Sequence, residues 1–83
     1  MTMRLHEAMI IAIKNLGGGK IKMTDVASYI NVHNLYKRKD GDLLQSKQIS
    51  ARVHQYPNIF SRGDGYVWIN EWVSDYLQKE YKM

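Results

Sequence analysis

Eighty-three residues carrying a formal net charge of +4 make one small domain, near the lowest size at which a single apolar core suffices without staples. The absence of cysteine excludes a disulfide framework, a thiolate zinc site and a cysteine nucleophile, and fits a reducing compartment. Apolar runs such as Met9–Ile13 fall far short of the roughly 20 residues that cross a bilayer, and the first residues lack a signal-peptide cleavage site, so a soluble cytoplasmic protein is expected.

Leu5, Met9, Ala12, Ile13 and Leu16 recur at helical spacing and predict a first amphipathic helix. Gly17-Gly18-Gly19 ends it, because glycine takes the left-handed conformation that closes a helix without steric cost. Lys20-Ile21-Lys22-Met23 alternates and reads as a short strand or extended segment. Thr24 is the expected N-cap of a second helix, with Asp25 complementing its positive end. Val26, Ala27 and Ile30 then face the core. His33-Asn34 closes that helix, with Asn34 in the left-handed position. Leu35 and Tyr36 pack back inward, and 37–42 is an exposed charged turn.

The stretch from Ser46 to Phe60 organises the rest. Ile49, Val53 and Tyr56 form one apolar stripe of a third helix, with Ser46 as the expected N-cap and Pro57 as the stop. At about 100° per residue, Lys47, Ala51, His54 and Gln55 point away from the core, with Gln48 and Ser50 at the margins. Residues 59–69 alternate around Gly63-Asp64-Gly65 and read as a β-hairpin. Within it Trp68 and Tyr66 are placed on opposite faces, in a register that stays open. Asn70 then caps a fourth helix, Glu71 to Tyr81, with Trp72, Val73, Tyr76 and Leu77 on one stripe. The expected fold is α+β and mostly helical: a winged helix-turn-helix over residues 3–69, with a three-helix core and a β-hairpin wing. The extra C-terminal helix, 70–83, packs on it or at a dimer interface.

Charge is unevenly distributed. Residues 35–62 hold six basic residues against two acidic ones, whereas 63–83 hold two against four. Positive charge thus concentrates in the turn, the third helix and the first hairpin strand, where a polyanion would be met. Lys47, Gln48, Ser50, Ala51 and His54 are of the types that meet base edges and phosphates, with Arg52 at the flank. Lys37, Arg38 and Lys39 suit flanking phosphates, or else keep the turn soluble. Arg62 suits a backbone or minor-groove contact, or a cross-strand partner. Trp72 and Tyr76 belong to core packing or to a dimer or partner interface, where such residues are favoured.

Other chemistries are poorly served. Gly17-Gly18-Gly19-Lys20 lacks the Ser/Thr and the strand-to-helix context of a phosphate loop. Asp40-Gly41-Asp42 lacks the distal glutamate of a calcium loop. His6, His33 and His54 lie on three different predicted helices without ligand spacing, so no metal is expected. No activated nucleophile or acid–base pair stands out, so a non-enzymatic protein without cofactor is expected.

Three blocks in order carry a resemblance: Leu35-Tyr36-Lys37-Arg38-Lys39-Asp40-Gly41, then Gln48-Ile49-Ser50-Ala51-Arg52-Val53, then Tyr56-Pro57-Asn58-Ile59-Phe60. Together they resemble the HARE-HTH family of winged-helix domains over residues 3–69, with Asn34 where that family usually has glycine. The resemblance implies double-stranded DNA binding, in a transcriptional or restriction-associated setting. Members of the polymerase-delta type contact a polymerase instead, so the alternative expectation is a module docking onto transcription or restriction machinery without useful DNA affinity.

Overall fold

The computed structural model describes residues 3–70, and its first element is α1, Leu5–Asn15. The Arg4 N–H donates to the Glu7 carboxylate at 3.3 Å and closes its first turn. Leu5, Ala8, Met9, Ala12 and Ile13 form its buried stripe. At its end Gly18 N–H reaches the Ile13 carbonyl at 2.9 Å and Gly17 N–H the Lys14 carbonyl at 3.3 Å. That pair of bonds, with Gly17 at φ +112°, is the Schellman closure the glycines predict. Leu16, expected inward, is 37% exposed instead, because it serves as the C-cap beyond the last helical turn.

Ile21–Lys22 forms β1, and α2 follows at once as Met23–Val32. Here the expected cap is corrected. Lys22, not Thr24, stands at the N-cap, and the Met23 N–H donates to the Gly65 carbonyl at 2.9 Å. A backbone acceptor from the distant hairpin thus satisfies a first-turn donor, so no hydroxyl is needed. Val26, Ala27 and Ile30 are buried, and α2 closes with Asn34 at φ +52°. Leu35 N–H bonds to the Ile30 carbonyl at 3.1 Å, a second Schellman closure that turns Leu35 and Tyr36 back against the core.

Residues 35–45 lead without regular structure to α3, Ser46–Gln55; β2, Phe60–Gly63, and β3, Tyr66–Ile69, complete the described chain. The two central turn residues are Asp64 at φ +53° and Gly65 at φ +81°. Left-handed conformation at both is the type I′ geometry that matches hairpin twist, and Asp-Gly is a preferred pair for it. Gly63, expected in the turn, belongs to β2.

β3 lies centrally in an antiparallel sheet of order β1-β3-β2. Ile21 pairs with Val67, and Phe60 with Ile69. Val67 and Phe60 are fully buried and close the core formed with Met9, Ile13, Val26, Ile30 and Ile49. Burying each such side chain stabilises the fold by roughly 1.5–3 kcal/mol. Tyr66 and Trp68 do not sit on opposite faces as expected. The strand period of two puts both on the outer face, away from Val67, where Lys20 Nζ lies 4.8 Å from the Trp68 ring centroid.

The described residues thus form an α+β fold of three helices and a three-stranded antiparallel sheet. None of these helices is long and apolar enough to cross a membrane. The expected fourth helix, with Trp72 and Tyr76, lies outside the described residues.

Candidate nucleic-acid interface

α3 begins one residue earlier than its hydroxyl suggests. Gln45, extended at φ −121° and ψ 167°, is the N-cap rather than Ser46, and its N–H donates to Gln48 Oε1 at 2.9 Å. This reciprocal use of the N3 side chain replaces the expected serine cap. It also commits the amide oxygen of Gln48 locally. The start of α3 is further fixed by Asn31 on α2. Asn31 Nδ2 donates to the Leu44 carbonyl at 2.9 Å, and its Oδ1 accepts the Leu44 N–H at 2.9 Å. The far end is held too, since Tyr56 N–H bonds to the Arg52 and Val53 carbonyls at 3.1 Å and Asn70 Nδ2 donates to the Pro57 carbonyl.

The faces fall as the periodicity requires. Ile49 and Val53 are buried and Tyr56 half-buried, while Lys47, Ala51, His54 and Gln55 are exposed. Gln48, Ser50 and Arg52 are half-buried at the margins. Two clefts flank the exposed crest. One, of about 330 Å³, lies against the 36–40 segment and is lined by Tyr36, Arg38, Lys39, Asp40, Gln48, Arg52 and α3's Ala51 and Gln55. The other, of about 630 Å³, lies against the hairpin and is lined by Lys47, Ser50, His54, Arg62 and again Ala51 and Gln55.

The cations are not equivalent. Arg38 pairs with the Asp40 carboxylate at 2.7 Å and donates to the Leu43 carbonyl at 3.2 Å, so a carboxylate already offsets its charge. Arg62 donates to the Ser50 hydroxyl, a neutral partner, and so joins the hairpin to α3 with its charge undiminished. Among the described residues Lys39, Lys47 and Arg52 have no carboxylate partner. Lys37 is not brought to α3. It lines a separate hollow with Asn31, Asn34, Asp42 and Leu43.

The histidines are scattered, as their spacing suggests. His6 stacks on Tyr56, ring centroids 4.4 Å apart, and its buried Nδ1 lacks a hydrogen-bond partner among the described residues. Burial lowers its pKa below the ordinary 6.5; Glu7 opposes the shift, while Arg52 and Arg4 add to it. His33 stacks on Tyr29 at 4.1 Å. No group of three or more His, Asp or Glu side chains that could hold a metal ion occurs among the described residues.

Comparisons with family models, with curated proteins and with solved structures find no match to this chain.

Sequence reasoning missed the Gln45 cap and the Asn31 clamp. Both are side chain-to-backbone bonds made by residue types that occur anywhere in a helix. The glutamine pair three residues apart was the one available signal for the cap.

Proposed function

We propose that residues 3–69 are a winged helix-turn-helix domain of the HARE-HTH kind, a cytoplasmic, non-enzymatic protein that binds double-stranded DNA. In this reading α3 enters the major groove and the β2–β3 hairpin is a short wing. The observation that carries it is the crest of Lys47, Ala51, His54 and Gln55 between two cation-lined clefts. A major groove is about 12 Å wide and admits one helix, so phosphates of the two strands would lie along the two flanks. Lys39 and Arg52 meet one strand; Lys47 and Arg62 meet the other. Asp64 at the wing tip repels phosphate and keeps the wing out of the minor groove.

Four phosphate contacts predict a log–log salt slope of about −3.6, hence a loss of about 150-fold in affinity between about 50 and 200 mM salt. A titration of random-sequence duplex over that range tests the proposal. A flat or absent response refutes it.

One observation favours a second reading, a protein-docking module. Val32 and Leu43 are each 71% exposed, and such side chains suit a partner more than a polyanion. That module would show no useful duplex affinity at either salt concentration.

A further inference from the structure

We infer that Gln55, with Ala51 one turn before it, reads an adenine–thymine step. This inference rests on the duplex-binding reading above and names the sequence class it selects. Ala51 and Gln55 are the two α3 residues that line both clefts, which puts them on the crest between the two rows of cations. Cations on both flanks centre the crest over the base edges rather than over either backbone.

The chemistry then singles out Gln55. A glutamine reads adenine by donating from Nε2 to N7 and accepting at Oε1 from the N6 amino group, so it needs both amide atoms. Gln48 cannot do this without breaking its cap, because its Oε1 already accepts the Gln45 N–H. Gln55 makes no side-chain hydrogen bond among the described residues, is exposed, and keeps both atoms. Its backbone is nonetheless held, since Tyr56 is bonded to α3 and stacked on His6. Rigid placement of an uncommitted amide is what base reading requires. Ala51 sits about 6 Å back along the helix, within two base-pair steps, and its methyl suits the thymine methyl while letting the helix approach closely.

The test is selection from a pool of random duplexes with the full chain and with Gln55→Ala and Gln55→Lys. The wild-type chain should enrich a site with one strongly preferred adenine. Gln55→Ala should bind duplex still but discriminate at that position at least about fivefold less, and Gln55→Lys should move the preference towards guanine. Duplex binding with no adenine preference, or with one that survives Gln55→Ala, overturns this inference and leaves the duplex-binding reading intact. Recovery of no duplex by the wild-type chain overturns both.

Discussion

Asn31→Ala is the sharpest test of how α3 is held. The Asn31 amide pairs with both backbone groups of Leu44, donor and acceptor, each at 2.9 Å. Leu44 itself is 4% exposed, so water replaces the lost partners poorly. A hydrogen bond contributes about 0.5–1.5 kcal/mol net, and a group left unsatisfied costs about 1–3 kcal/mol. Two such groups imply a loss of about 2–4 kcal/mol, against a total stability of about 4–12 kcal/mol for a domain of this size. Urea denaturation should show a large fall in midpoint with little change in slope. Thermal unfolding should drop by about 10 °C or more. Asn31→Asp keeps an acceptor for the Leu44 N–H but turns a second oxygen on the Leu44 carbonyl, and should lose a comparable amount at neutral pH. An Asn31→Ala variant within about 0.5 kcal/mol of the parent would refute the clamp, since that is the range of an ordinary surface change.

Three further outcomes are expected. Lys47→Glu should weaken binding to all duplexes and reduce the salt slope by about one; an unchanged slope would remove Lys47 from the phosphate contacts. Asp40→Asn should raise duplex affinity by releasing Arg38. It should change stability by less than about 1 kcal/mol, because the pair's carboxylate is 51% exposed; fluorescence anisotropy showing weaker binding would contradict this. For His6, burial lowers the folded-state pKa, so the unfolded chain binds the proton more readily below 6.5. Stability is then complete above that value and declines as pH falls through the lower folded-state one. His6→Phe, which keeps a ring against Tyr56, should flatten that acid decline, and equal declines in both proteins would rule His6 out as its source.

What the chain declares locally and what it does not divide along a physical line. The faces of α3 follow from a rotation of about 100° per residue, so Ile49 and Val53 inside and Lys47, Ala51 and His54 outside were legible without any knowledge of neighbours. Helix closures at Gly17 and Asn34 were legible for the same reason, since a positive φ is a property of one residue. The starts of α2 and α3 were not. Met23 is satisfied by Gly65, more than forty residues away, and a donor met from afar leaves Thr24 without a capping task. Tyr66 and Trp68 share one face of β3 rather than opposite ones. Residues two apart share a side, and Val67 between Tyr66 and Trp68 is the one turned inward.

The candidate site shows the same division in its charge. Counting residues places six cations in 35–62, but a count cannot tell which ones a polyanion would find uncompensated. Asp40 offsets Arg38 two residues away, and Lys37 lines a hollow that contains no α3 residue. What remains at α3 is Lys39 and Arg52 on one flank and Lys47 and Arg62 on the other. Arg62 comes from a strand and meets Ser50 twelve residues earlier, so its place beside the helix depends on the hairpin being built. A salt slope near about −5.4 would mean that composition governs binding. A slope near about −3.6 would mean that the fold has selected four of the six. The difference between those slopes is therefore a measurement of tertiary structure, made through the counterions that binding displaces.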